Sequence, residues 1–216
     1  MPSVMLHQTT VEVTNIFCIG RNYAEHIAEL QHSRDQEMPV FLKPTSALLR
    51  GENTIRLPEY SNNVHYECEL VLLIGQDAAQ LNRDQALACV AGYGIGLDLT
   101  ARDVQNIAKE KGLPWLKAKG FRHAACVSDF VAPQALPEIG DVHFTLDVNG
   151  EIRQRGHTAD MLYDVPEILV FLAHTYGLQA GDIVFTGTPQ GVGALHAGDV
   201  LTLDLNGVIG THFKVA

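Results

Sequence analysis

In the run His65-Tyr66-Glu67-Cys68-Glu69-Leu70-Val71-Leu72-Leu73-Ile74, two acids open a strongly apolar stretch. An extended chain has a side-chain period of two, so Glu67 and Glu69 share one face about 7 Å apart while Cys68 points the other way. Like charges at the rim of a core repel and lose hydration, and so depend on protons or on a cation. A third acid, Asp98, ends another strand-like run at residues 93–97, where Gly92, Gly94 and Gly96 permit close backbone packing. Three oxygen donors without a matching set of thiolates or imidazoles suit a hard ion, Mg²⁺, Mn²⁺ or Ca²⁺, better than zinc. The same spacing also fits a plainer arrangement, with both glutamates on the solvated face of an edge strand and Asp98 capping the helix that follows.

The elements that must position these acids are mostly short strands. Ile16–Ile19, Val40–Lys43 and residues 69–74 and 183–186 are brief apolar or β-branched runs bounded by Gly, Pro or polar residues. Two hairpins are marked. Phe144, Leu146 and Val148 alternate with polar residues before Asn149-Gly150, and Leu201, Leu203 and Leu205 do so before Asn206-Gly207. Asn-Gly accepts the positive φ angles of a type I′ turn. Amphipathic helices are expected over residues 23–31, 82–90, 100–111 and 166–176. Asn82 and Gln85 have capping-box spacing, Thr100 can cap the third helix, and Gly112 and Gly177 stand where a left-handed C-terminal residue is wanted. These elements predict an α+β fold, mainly β, with a rolled or sandwiched sheet rather than a βαβ array.

The 216 residues carry no repeat, low-complexity tract or Pro/Ser-rich linker, so residues 1–216 are expected to form one domain. Hydrophobic residues make up 46% and charged residues 19%, and no apolar run approaches the roughly 20 residues that span a bilayer. The amino terminus lacks the basic start and apolar stretch of a secretory signal, which makes a cytoplasmic location the default expectation. A formal net charge of −10 argues against nucleic acid as a partner, because that affinity comes from clustered Lys and Arg. Small ligands are favoured. Cys18, Cys68, Cys89 and Cys126 form no CxxC pair and read as buried free thiols.

Seven segments, taken in order, carry a resemblance. They are Gly20-Arg21-Asn22-Tyr23-Ala24-Glu25-His26, Phe41-Leu42-Lys43-Pro44, His65-Tyr66-Glu67-Cys68-Glu69, Leu97-Asp98-Leu99-Thr100-Ala101-Arg102-Asp103-Val104-Gln105, Lys111-Gly112-Leu113-Pro114-Trp115, Asn149-Gly150-Glu151 and Thr186-Gly187-Thr188-Pro189-Gln190-Gly191-Val192-Gly193. Together they resemble the fumarylacetoacetate hydrolase family, in particular its short, single-domain acylpyruvate hydrolase and oxaloacetate decarboxylase branch. The resemblance implies a β-roll, a homodimer, and one Mg²⁺ or Mn²⁺ per chain held by Glu67, Glu69 and Asp98. It implies too that a helix near residues 22–32 closes over the substrate as a lid carrying a catalytic pair, His26 and Glu29. Residues three apart do share a helical face, but such a pair ordinarily faces solvent, so its catalytic role rests on the resemblance. Departures fall at Tyr66 and Cys68, in residues 31–38, and at Gly120-Phe121-Arg122-His123 after Lys119, segments that would shape substrate choice. A separate amino-terminal domain of the larger members is not expected.

The chemistry so implied concerns small 2-keto acids. One carboxylate oxygen and the keto oxygen can reach a single ion, which acts as a Lewis acid. Cleavage between C3 and C4 then leaves a metal-bound pyruvate enolate, whose charge grows on the oxygen the ion already holds. In acylpyruvate hydrolysis His26, oriented by Glu29, would deprotonate the attacking water, a contribution of about 10² to 10⁴ in rate. Lys119 joins the catalytic set. Arg21, Lys43, Arg102, Gln105 and Thr188 form the expected substrate-binding set, with a surface ion pair as the plainer reading for Lys119 and Arg102 and a structural turn for Thr188. Acylpyruvate hydrolysis ranks first, oxaloacetate decarboxylation next, keto–enol or double-bond isomerisation third, and a non-catalytic metal-stabilised dimer last.

Overall fold

The computed structural model describes residues 1–23 and 38–216. The architecture is mainly β with short helices at the periphery, as expected. A seven-stranded mixed sheet runs in the order Val40–Lys43, Ile16–Ile19, Ile183–Phe185, Cys68–Ile74, Val90–Asp98, Ala125–Val127, Leu48–Arg50. A five-stranded sheet runs Glu151–His157, His143–Val148, Val200–Leu205, Ile209–Val215, Thr54–Ile55. Every residue of Cys68–Ile74 is buried, as befits a central strand covered on both faces. In the second sheet burial alternates, and Phe144, Leu146, Leu201, Leu203 and Leu205 turn inward to a core shared with the first. Both Asn-Gly pairs have positive φ, 58° and 86° at Asn149 and Gly150, 55° and 70° at Asn206 and Gly207.

Three helix expectations need correction or bounding. Thr100 caps nothing: Thr100–Ala101 pairs with Val64 and His65 as a short strand, and the helix starts afterwards, at Arg102–Glu110. Thr100 is fully buried, and the sheet pairing satisfies its backbone where a cap would have exposed it. The segment at residues 82–90 is helical only over Arg83–Ala86, with Asn82 Oδ1 accepting from Gln85 N at 2.9 Å, before a 3₁₀ turn at Leu87–Cys89. β-branched Val90 already belongs to the next strand. The lid helix, with His26 and Glu29, lies outside the described residues apart from Asn22 and Tyr23. The fourth helix spans Val165–Thr175 and is capped by Asp164, which accepts from Glu167 N. All four cysteines are buried and free. Among the described residues no helix is long and apolar enough to cross a membrane.

Cys68–Ile74 and Val90–Asp98 are adjacent and antiparallel, with Cys68 opposite Leu97 and Glu69 opposite Gly96. A Cβ on Gly96 would stand 2.5 Å from the Cys126 carbonyl oxygen and 2.9 Å from the Phe185 ring. Gly96 therefore lets three strands close beside Glu69. Gly96→Ala is expected to cost about 1–3 kcal/mol through overpacking, read as a lower urea midpoint at unchanged m; an unchanged midpoint would mean the strands can separate freely.

Candidate metal centre

The antiparallel register brings the acids together. Glu67 sits between the strands Val64–Tyr66 and Cys68–Ile74, and its carbonyl accepts from Asp98 N at 2.8 Å, which locks Asp98 beside it. Glu67, Glu69 and Asp98 are 6%, 1% and 1% exposed, and each offers an oxygen within 4.8 Å of the others'. The solvated-edge alternative is thereby overturned: the run opens in the middle of a sheet.

Three cations surround the acids. Lys119 Nζ bridges Glu67 Oε2 and Asp98 Oδ2 at 2.7 Å each. Arg102 donates to Glu67 Oε1 and, through its other terminal nitrogen, to Gln105 Oε1 at 2.7 Å. Lys43 Nζ lies 2.6 Å from Asp98 Oδ1 and donates to the carbonyls of Leu99 and Lys119. Burial by itself would raise the Glu67 carboxyl, but Lys119 and Arg102 outweigh it and hold Glu67 well below the carboxylate range. Burial likewise works against the Lys119 ammonium, and Asp98 and Glu67 more than offset it, so Lys119 stays firmly protonated.

Glu69 is different. Its Oε2 accepts from Gly187 N at 2.7 Å, and among the described residues no lysine or arginine pairs with it. Burial first, then Asp98 and Glu67, push its carboxyl well above the ordinary value. Asp98 Oδ1, by contrast, is ion-paired with Lys43 at 2.6 Å. A hard divalent cation among these oxygens would relieve Glu69, so the donor set fits Mg²⁺ or Mn²⁺. Asp141, His143 and His157 also bring three donor atoms within 4.8 Å. That group is largely exposed, and His157 Nε2 and Asp141 already satisfy each other at 2.9 Å, so it has no comparable need for an ion.

The acids form the floor of an open cleft. Arg21, Arg102, Gln105, Lys119 and Thr188 line it, and Phe41 and Trp115 form an aromatic wall with ring centroids 6.1 Å apart. Lys43 does not reach it. Its side chain is fully buried behind Asp98, which replaces the expected substrate contact with a role in holding that carboxylate and the backbone at Lys119. Thr188 donates its hydroxyl to the Cys68 carbonyl and accepts from Gln154 Nε2, both at 2.8 Å, so the turn after Ile183–Phe185 is tied to the acidic strand.

Sequence reasoning missed Gln154, Asn22 and Lys109. Gln154 is buried in an otherwise mostly exposed strand, and its Oε1 accepts from Cys68 N at 2.9 Å between the two glutamates. Nothing in an alternating polar strand marks it. Asn22 bonds Tyr163 on both its N and O and the Thr186 carbonyl, fixing the chain beside Arg21, itself at φ 56°. A left-handed non-glycine residue at a cleft rim is held there by its surroundings. Lys109 shares a helical face with Arg102 and Gln105, a spacing that could have been noticed.

The family model described as fumarylacetoacetate (FAA) hydrolase C-terminal matches residues 15–215. The chain is 40% identical over 201 residues to the mitochondrial oxaloacetate tautomerase FAHD1 of Bos taurus, covering 93% of this chain and 91% of that protein. It is 40% identical over 196 residues to the oxaloacetate tautomerase YcgM of Escherichia coli (strain K12), covering 90% of each. Its structure matches that of a fumarylpyruvate hydrolase from Pseudomonas aeruginosa in complex with Mn²⁺ and pyruvate, with a TM-score of 0.94 at 32% identity over 99% of this chain and 95% of the other. On these matches, and on the buried acids at the end of a rolled sheet, the chain belongs to the fumarylacetoacetate hydrolase family.

Proposed function

We propose that this chain is a divalent-metal-dependent enzyme that interconverts the enol and keto forms of oxaloacetate. The observation that carries the reading is the buried trio Glu67, Glu69 and Asp98, with Glu69 ion-paired to no lysine or arginine among the described residues, in a cleft lined by basic side chains. Relatives about 40% identical over nine-tenths of the chain bear the name oxaloacetate tautomerase, which moves this reaction ahead of the C–C hydrolysis that sequence motifs ranked first.

A hard ion held by the three acids would supply a Lewis acid for the 2-keto oxygen and offset enolate charge. The chain's own groups do the rest. Enol–keto exchange removes one proton from the C2 oxygen and adds one at C3, and no carbon–carbon bond breaks. Lys119, kept protonated by Glu67 and Asp98, cannot act as the base; as an ammonium it favours negative charge developing beside it. Arg102 is held in orientation by Glu67 and Gln105 and keeps further donors for a carboxylate. Proton transfer is assigned to His26 with Glu29, the pair that the family resemblance supplies.

A second reading is hydrolysis of an acylpyruvate, favoured by the structural match to the fumarylpyruvate hydrolase, and a third is decarboxylation, the activity named for a Dictyostelium discoideum relative 38% identical over 194 residues. One experiment separates them. With Mg²⁺ or Mn²⁺ present, loss of enol absorbance, CO₂ release from oxaloacetate, and acetylpyruvate and fumarylpyruvate cleavage are followed in parallel. Enol–keto exchange with the highest kcat/KM supports the proposal; cleavage or CO₂ release at higher kcat/KM replaces it, and no metal-dependent turnover favours a non-catalytic, metal-stabilised protein. His26→Ala is expected to lose proton transfer, and any hydrolysis, while keeping its ion. If the ion is lost from that variant, the role assignment is wrong.

A further inference from the structure

Of the four basic residues lining the cleft, two are spoken for. Arg102 is paired with Glu67, and Lys119 with Glu67 and Asp98. Arg21 and Lys109 make no ion pair with any acid among the described residues. Lys109 projects from the Arg102–Glu110 helix seven residues after Arg102 and four after Gln105, so the three stand in one stripe along the cleft. Long helical side chains lean toward the amino-terminal end, which brings the Lys109 ammonium back toward Gln105 and the acids. Its Nζ lies 5.5 Å from the centre of the Trp115 ring, a seat that holds a cation without neutralising it.

We propose that Lys109, together with Arg21, forms a subsite for the second carboxylate of a dicarboxylic 2-keto acid, selecting such substrates over monocarboxylic ones of the same length. The inference rests on the keto-acid reading above and names the residues that read the distal carboxylate. A half-buried ammonium with cationic neighbours and no ion-pair partner among the described residues is an unfavourable arrangement that an entering carboxylate would relieve. Burial, then Arg102 and Arg21, indeed lower the Lys109 pKa, the direction expected of a cation crowded by like charge. The cleft then has two ends: the acids and their ion take the 2-keto carboxylate, and the stripe ending at Lys109 takes the distal one.

Trp115 is the chain's one tryptophan, so its fluorescence reports on this end of the cleft directly. The test titrates Mg²⁺-loaded protein with malate, a hydroxy diacid, and with 2-hydroxybutyrate, the same chain without the distal carboxylate. In Lys109→Met the malate Kd is expected to rise roughly ten- to a hundredfold, the worth of a hydrogen bond to a charged group, with 2-hydroxybutyrate unchanged. Lys109→Arg should retain most of the malate affinity and guards against a folding defect in the first variant. In turnover, Lys109→Met should raise KM for oxaloacetate and erase its advantage over the 4-ethyl monoester. Equal weakening of both hydroxy acids, or of neither, overturns the subsite. So does loss of kcat in Lys109→Arg with malate binding intact, which would make Lys109 a proton carrier. A wild-type protein that turns over no keto acid yet binds malate in a Lys109-dependent way would sink the proposed function and leave the subsite standing.

Discussion

Glu69→Gln is expected to abolish metal-dependent turnover and, in metal-free protein, to raise stability by an amount that grows with pH. Glu69 is 1% exposed, faces Glu67 and Asp98 with no lysine or arginine paired to it among the described residues, and has its carboxyl pushed well up. In metal-free protein the folded state therefore holds the Glu69 proton to higher pH than the unfolded chain does. Because the folded pKa is raised, the stability linked to this group is complete below the unfolded value of about 4.3 and falls as pH rises through the folded one, by up to about 1.4 kcal/mol per pH unit. Glutamine removes that slope. It can still accept from Gly187 N through its amide oxygen, so the local hydrogen bond survives. The measurement is the urea midpoint of chelator-treated protein between pH 5 and 8, wild type against variant, followed by Mg²⁺ titration. Parallel pH profiles would show that Glu69 is compensated in the fold, and Mg²⁺ affinity equal to wild type would remove it from the centre.

Lys119→Met should have the opposite effect on the metal-free protein. Lys119 holds Glu67 and Asp98 at 2.7 Å each, both nearly inaccessible to water. Removing one partner of a buried pair strands the other charges, at a cost of about 3–5 kcal/mol. Added Mg²⁺ replaces part of the lost positive charge, so the rise in Tm on metal addition should exceed that of wild type. Turnover should nevertheless fall about 10²- to 10³-fold, since a fixed ammonium beside developing negative charge is lost. Thermal scans with and without Mg²⁺ and a steady-state assay decide it. Unchanged metal-free stability would mean the acids are neutralised by protons and not by Lys119. The contrast between the two variants is the informative result, because a site that merely tolerates mutation would shift both in one direction.

Local pattern was enough for much of the fold. Alternation before Asn149-Gly150 and Asn206-Gly207 defined both hairpins, since side-chain period and turn conformation are properties of a few consecutive residues. Glu67, Glu69 and Asp98 were legible as a trio for the same reason: an acidic pair with a period of two opening an apolar strand is a local anomaly. Family motifs then ordered them with Arg21, Arg102, Gln105, Lys119 and Thr188, all of which the fold brings to one cleft.

What the sequence could not determine depends on which residues meet across the sheet. Whether the glutamates face water or core was undecidable until Cys68–Ile74 was seen in mid-sheet, where burial turns two acids into a demand for a cation. Thr100 reads as a cap, yet tertiary pairing with His65 makes it strand. Lys43 and Lys119 look alike as basic residues among apolar neighbours; only packing closes one behind Asp98 and opens the other to the cleft. Gln154 leaves no trace in a polar strand because its partners, Cys68 and Thr188, come from distant parts of the chain. Residue types and spacing thus determined which donors this chain owns. Tertiary structure decided their charge balance, because desolvation and pairing depend on neighbours that sequence order does not supply.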